Sequence, residues 1–337
     1  MSLISLQKKI LPKIETELQS FLEAQEFGSS QELKEMIAYH MGWRDNSGTG
    51  KRIRPLLTLL CAGAFETILE IAMPAAIAIE FLHNFTLIHD DIEDQSLLRH
   101  GRQTLWQRWG SAQAINAGDA LFSIAQLAML DLTRTCDNEI ALQAAEQLNQ
   151  VCLHLTRGQY LDIAFEKDDD IPLETYLEMI NGKTAALVGF STAMGGLTAR
   201  QEPGTVQLLS DFGNCLGKAF QIKDDILGIW GDPKITGKSS TSDLLAKKKS
   251  LPILYGLREC SEFRGIWFAG KITPDQVKSM SDMLEDYGAR AYASAEAENV
   301  TNEAFRILEL IFPSSQKTNQ YSTAIFELCG DLLTRTM

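Results

Sequence analysis

The chain has 337 residues, 45% of them hydrophobic, with a formal net charge of −13. That length and apolar content can bury one large core or two smaller ones, and no Pro/Gly/Ser-rich linker interrupts it, so 1–337 reads as a single domain. The charge argues against a nucleic-acid partner and against docking to anionic membranes, while six scattered cysteines without a CxxC pair indicate reduced core thiols in a cytoplasmic protein.

The N-terminal MSLISLQKKILPKIETELQSFL reads as an amphipathic helix rather than a signal peptide. No run of 18 apolar residues occurs, so no membrane span is expected. Apolar residues recur at three- and four-residue spacing almost throughout, and convincing period-two strands are absent, which predicts an all-α fold. Helices are expected over 3–25, 30–42, 55–65, 71–98, 111–134, 138–166, 172–197, 203–229, 250–260, 274–297, 300–312 and 318–334. Breaks fall at 47–50, Gly101, 168–172, 203–204 and the polar stretch 231–250.

In chain order, the first segment with chemical interest is GKRIRP, from Gly50 to Pro55. Lys51, Arg52 and Arg54 sit in a glycine-led turn, with Pro55 suited to a first helical position. Such a turn can hold phosphate, Arg through a bidentate fork and Lys as a point charge. Three charges in a turn are also ordinary solvated surface.

The stretch from Glu80 to Gly101 runs as an apolar helix into Asp90, Asp91, Glu93 and Asp94, followed by Arg99 and His100. Asp90 and Asp94 are i,i+4 neighbours on a helix, with side-chain roots about 5–6 Å apart. Carboxylates this dense repel unless water or metal neutralises them, and a solvated helix end is the plain alternative. The preceding turns carry His83, Phe85, Thr86 and His89; a lone histidine there is ordinarily structural.

Further on, AGDALF and GQYLD place Asp119, Gln159 and Asp162 beside Gly118 and Gly158, which permit close helix approach. Those polar residues are costly to bury unpartnered and equally at home on a helix surface. Lys183 and Thr184 interrupt an apolar helix, where a cation avoids a dry core unless an anion meets it. QIKDDILG then carries Gln221 and a second pair, Asp224 and Asp225, 134 positions after the first.

Two acidic helix ends facing one another would cage several Mg²⁺ ions without filling their shells. Mg²⁺ prefers an octahedron at about 2.1 Å and completes it with water and phosphate oxygens, so the missing ligands suggest a diphosphate. The polar segment after Asp225 supplies Lys238, Asp243, Lys247, Lys248 and Lys249. It reads either as a flap able to close over a diphosphate or as a solvated loop.

Taken together and in this order, the segments closely resemble the trans-isoprenyl diphosphate synthases, or polyprenyl synthetases, from about Gly50 to Pro252, with weaker helical similarity beyond. DDxxD and its following arginine match Asp90, Asp91, Asp94 and Arg99; GKRxRP matches Lys51, Arg52, Arg54 and Pro55. GQxxD, KT and QxxDD match Gln159, Asp162, Lys183, Thr184, Gln221, Asp224 and Asp225, and the GK…SD…K flap matches Lys238, Asp243 and Lys248.

The resemblance implies an isoprenoid-synthase-type helical bundle with a central active-site cavity, usually a homodimer. Asp90, Asp91, Asp94, Asp224 and Asp225 would hold about three Mg²⁺ on an allylic diphosphate, assisted by Arg99, Lys183, Lys238 and Lys248. Isopentenyl diphosphate would be held by Lys51, Arg54 and His83, with His100 close by. Gln159, Thr184 and Gln221 would offer dipoles beside the carbocation.

Three positions depart from the family pattern. His100 replaces the second arginine, with Arg102 as possible compensation; Gly228 replaces the third aspartate of the second motif; Trp106 stands where many members have histidine. With the first motif complete and the other cations retained, an active enzyme is expected rather than a non-catalytic subunit of a heteromeric synthase.

Phe85 lies five residues before Asp90, about 7.5 Å along a helix, at a position that sets the tunnel floor in the family. With Thr86 next and no insertion in DDIED, this implies a short-chain product, most like twenty-carbon geranylgeranyl diphosphate. Farnesyl diphosphate is next, because residues around Phe122 on the facing helix would raise the floor. Terpene cyclases fit less well, since DDILG followed by a lysine flap does not match their Asn/Asp–Ser/Thr–Glu metal motif and GKRIRP would lack a purpose without a second diphosphate; head-to-head synthases fit less well for the same reasons.

Overall fold

The computed structural model describes residues 2–44, 50–231, 242–314 and 319–333. Helices α1 (Leu3–Glu23), α2 (Gln31–His40), α3 (Ile53–Ala64) and α4 (Leu69–Glu93) come first. A hairpin of β1 (Leu98–Arg99) and β2 (Arg102–Gln103) follows, then α5 (Leu105–Trp109), α6 (Ser111–Leu130) and α7 (Asn138–Phe165). Next are α8 (Leu173–Ile180), a π-helical turn (Asn181–Ala185), α9 (Ala186–Thr198) and α10 (Pro203–Trp230). The remainder comprises α11 (Ser242–Leu245), α12 (Leu251–Glu259), α13 (Ser261–Phe268), α14 (Pro274–Asp286), α15 (Ala289–Ile311) and α16 (Gln320–Leu333). The expected all-α class holds.

The chain divides into two compact units. The first comprises Met1–Leu153, Phe190–Ser210 and Ile311–Glu327, and the second His154–Gly189, Asp211–Leu310 and Leu328–Met337. In the first, α4 packs mainly on α3 and α6, and α1 contributes one apolar stripe of Leu3, Leu6, Ile10, Ile14, Leu18 and Leu22. Helix α4 is long and apolar enough in composition to cross a membrane, but 67% of its apolar window is buried within the protein, as befits a core helix. The second unit is built around a core that includes Tyr176, Ile222, Ile226, Phe263 and Trp267.

Several elements differ from expectation. The helix expected over 71–98 stops at Glu93, and the chain turns into a hairpin whose tip, His100–Gly101, has φ of 51° and 78°. Two paired residues per strand are too few for an alternating pattern to register. The helix expected over 172–197 is broken by the π turn at Asn181–Ala185. The two helices expected over 274–297 and 300–312 instead meet at Gly288, whose φ of 82° ends the first and lets α15 run uninterrupted. Pro55 is the third helical residue rather than the first, still within the turn where its missing N–H costs nothing. The short helices α5, α11 and α13 lie below the length at which periodicity is legible.

Candidate active site

In the first unit, the C-terminal turn of α4 holds Asp90, Asp91 and Glu93, with Asp94 as its cap and no basic residue in that turn. Carboxylates at the negative end of a helix dipole are unfavourable and call for a cation from elsewhere. Asp94 donates its N–H to the Asp90 carbonyl at 2.8 Å, so the spacing of these two residues survives although the helix ends early. Arg99, delivered by β1, forks onto the buried Asp91 carboxylate, Nε to Oδ2 and Nη2 to Oδ1 both at 2.9 Å. Burial pushes the Asp91 carboxyl up, and Arg99 opposes that rise.

The GKRIRP turn divides its labour. Arg52 sits in the left-handed region at φ 45°, ψ 43°, a strained setting for a side-chain-bearing residue. Its buried guanidinium reaches Glu15 at 2.6 Å, Glu80 at 2.7 Å and the Met41 carbonyl at 3.0 Å. Arg52 is therefore the clamp that holds the turn. Lys51 is exposed, and Arg54 places Nη1 3.0 Å from His83 Nε2. Arginine has no acceptor, so His83 accepts at Nε2 as a neutral imidazole. Burial, then Arg54 and Arg99, hold its pKa well below the ordinary value.

Two more imidazoles lie among the same arginines. His100, on the hairpin tip, is pushed down by burial and by Arg99 and Arg102, so it is neutral where an arginine was expected to help. Arg102 donates to the Tyr39 carbonyl at 2.7 Å, which makes it a brace between the hairpin and α2. Trp106 braces the same hairpin by donating to the Ser96 carbonyl at 2.9 Å. His40, absent from every motif, has a buried Nε2 without a hydrogen-bond partner.

Burial together with Arg99, Arg102, Arg52 and His100 lowers the His40 pKa to about 3. Because the unfolded chain takes up this proton near pH 6.5 and the folded one does not, stability is lost as pH falls from about 7 towards 3. Melting temperatures measured across that range are expected to fall less steeply for His40→Gln than for the wild type; parallel curves would refute this.

Further up α4, Phe85 packs edge-on to His89 at 4.8 Å and against Phe122 of α6 at 5.4 Å between ring centroids. The facing aromatic expected from sequence is thus in contact with Phe85. Thr86 returns its hydroxyl to the His83 carbonyl at 2.7 Å. Gly118 admits His89, because a Cβ there would lie 2.3 Å from Nε2.

In the second unit, a Cβ at Gly158 of α7 would come within 2.1 Å of the Lys183 backbone nitrogen. This close approach accompanies the π turn, a deformation frequent at functional sites, and Lys183 Nζ lies 2.5 Å from Asp162. Gln159 follows Gly158 on α7, half-buried. Thr184 donates to Gln221 Oε1 at 2.9 Å, and Gln221 donates in turn to Asp225 at 3.2 Å.

Asp224 and Asp225 are not equivalent. Asp224 is exposed, whereas Asp225 is buried and accepts from the Tyr176 hydroxyl, the Leu251 N–H at 3.1 Å and Lys248 Nζ at 3.2 Å. Burial and Asp225 push the Tyr176 phenol well up. Tyr176 escaped sequence reasoning; its only signal is a phenol on the buried face of an amphipathic helix, where the hydroxyl needs a partner. Lys238 lies outside the described residues.

These donors suit Mg²⁺ chemically, since the carboxylates are all-oxygen ligands. Among the described residues no three carboxylate, imidazole or thiolate groups converge into a ready cage. Side-chain cations stand against the buried aspartates instead, Arg99 on Asp91 and Lys248 on Asp225.

The profile of the polyprenyl synthetase family matches residues 30–284. A (2E,6E)-farnesyl diphosphate synthase of Mycobacterium tuberculosis H37Rv is 37% identical over 279 residues, covering 79% of this chain and 77% of that one. A geranylgeranyl diphosphate synthase of the same organism is 41% identical over 236 residues, covering 68% and 67%. Among solved structures, the geranylgeranyl pyrophosphate synthetase of Pyrococcus horikoshii matches with a TM-score of 0.89 at 29% identity, covering 99% of this chain and 98% of that one.

Proposed function

The chain belongs to the polyprenyl synthetase family, and from that premise we propose that it condenses isopentenyl diphosphate with an allylic diphosphate, head to tail, to give a short-chain prenyl diphosphate. The observation that carries this reading is in the first unit. Arg99 grips the carboxylate end of α4 while also bearing electrostatically on the imidazoles around Arg54, so an anionic helix end adjoins a cluster of cationic side chains, where a metal-bound and a metal-free diphosphate would lie side by side.

Asp90, Asp91, Asp94, Asp224 and Asp225 would hold Mg²⁺, which when bound would neutralise the allylic diphosphate as its C–O bond breaks. Arg99, Lys183 and Lys248 would turn from their carboxylates to diphosphate oxygens, and Lys238 would add its charge there. Lys51, Arg54 and His83 would hold isopentenyl diphosphate, with the buried His40 and neutral His100 beside them. Its double bond attacks the allylic carbon, forming the new C–C bond, and the proton lost from the adduct goes to the departing diphosphate. Thr184, Gln221 and Gln159 would offer their dipoles to the cationic carbon. A cytoplasmic homodimer is part of the same proposal.

Phe85 would close the tunnel at the twenty-carbon geranylgeranyl product. A fifteen-carbon farnesyl product is the second reading, favoured by the Phe122 ring against Phe85. Incubation with dimethylallyl diphosphate, isopentenyl diphosphate and Mg²⁺ is expected to yield a twenty-carbon alcohol after dephosphorylation. Phe85→Ala is expected to shift the product by one or more isoprene units. A wild type that stops at fifteen carbons and leaves farnesyl diphosphate untouched selects the second reading, and an unchanged Phe85→Ala profile removes Phe85 from length control.

A further inference from the structure

The family pattern places an aspartate where this chain has Gly228. That position is one turn beyond Asp224 on α10, on the same helix face, so a carboxylate there would stand beside the exposed Asp224. The space is filled from another element. A Cβ built on Gly228 would lie 2.5 Å from Asp243 Cγ, with the two carboxylate oxygens at 2.5 and 2.7 Å. Asp243 enters from α11 and brings its carboxylate to the place a side chain at 228 would occupy.

A cation already marks the neighbourhood. Lys248 Nζ lies 3.2 Å from Asp225 and 3.9 Å from Asp243. Its ammonium is stabilised in the charged form first by Asp225, then by Asp243 and Asp224, against the cost of its burial. Three carboxylates from two elements therefore bear on one positive charge.

We propose that Asp243 supplies the third carboxylate of the second metal-binding set, replacing across space the aspartate missing at Gly228. The inference rests on the prenyltransferase reading above. On it, Gly228 is required as glycine because any side chain there would collide with the carboxylate that took its place. Lys248 holds the position of the cation until a metal–diphosphate complex arrives.

The test measures binding rather than turnover, with Mn²⁺ and inorganic pyrophosphate as the probe and electron paramagnetic resonance to quantify bound Mn²⁺. Asp243→Asn is expected to weaken Mn²⁺ binding about 10- to 100-fold, the usual cost of losing a metal-site partner. Gly228→Asp combined with Asp243→Ala returns a carboxylate to the same space and is expected to restore affinity to within about threefold of the wild type, on the same geometric ground. Thermal melts show that each variant is folded.

If the double variant does not fold, Asp243→Glu serves, since it retains the charge and is expected to lose less affinity than Asp243→Asn. Wild-type affinity in Asp243→Asn would overturn the proposal. So would a folded double variant as weak as Asp243→Asn, or equal losses in the Glu and Asn variants. A wild type that takes up no Mn²⁺ with pyrophosphate would instead overturn the prenyltransferase reading itself, before any variant is compared.

Discussion

Replacing Asp90 with alanine is expected to lower kcat by about 10³-fold or more, because charge stabilisation of a departing anion is worth several kcal/mol in a water-poor site. Asp90 lies in the last turn of α4 among like charges and without a basic residue in that turn. A carboxylate there opposes the helix dipole, so its removal is expected to leave the melting temperature unchanged or slightly raised. Loss of activity without loss of stability is the signature of a residue kept for chemistry. Steady-state kinetics beside a thermal melt of Asp90→Ala read both quantities. Near wild-type kcat, or a collapse of the fold, would remove Asp90 from the catalytic machinery.

The largest stability effect is expected at Arg52. Arg52→Met should cost about 3–5 kcal/mol, the range seen when one partner of a buried ion pair is removed and the other is left uncompensated. Here the stranded partner is Glu80, whose side chain is 5% exposed, and Glu15 loses its contact as well. Arg52 also sits at φ 45°, so the clamp holds a backbone conformation that side-chain-bearing residues otherwise avoid. Urea unfolding measures the loss directly. A change below about 1 kcal/mol, the value typical of an exposed pair, would mean the cluster does not hold the turn.

Arg52 also shows what a motif conceals. Sequence reading grouped it with Lys51 and Arg54 as three cations in one turn, because a linear string cannot show that one arginine faces inward onto glutamates 37 and 28 positions away. The helices that carry the motif residues were legible because α3, α4, α7 and α10 are long enough for apolar periodicity to register. The end of α4 was not, since the apolar pattern fades into acids that serve a helix end and a loop equally well. The π turn at Lys183 was hidden for another reason: it accompanies the contact of Gly158 with Lys183 and Gly182, which sequence reading had anticipated only as a glycine that would allow close approach.

The aspartate motifs themselves were legible from type and spacing, but the inequality of Asp224 and Asp225 was not. It arises from Tyr176 and the start of α12, which close around Asp225 alone. His40 had no sequence signal. Its neighbours Arg99, Arg102 and Arg52 come from the hairpin and from the turn before α3, and only the folded first unit brings them to it.

The central claim is that this chain joins isopentenyl diphosphate to an allylic diphosphate and releases diphosphate as it does so. The most direct measurement follows labelled isopentenyl diphosphate and released diphosphate together, in the purified folded protein, with geranyl diphosphate as primer and Mg²⁺ present or removed by EDTA. One diphosphate is expected to be released for each isopentenyl unit incorporated, with both signals abolished by EDTA and restored by added Mg²⁺. Folded protein that incorporates no label with geranyl, dimethylallyl or farnesyl diphosphate would contradict it, and would identify His100 and Gly228 as marks of a non-catalytic subunit.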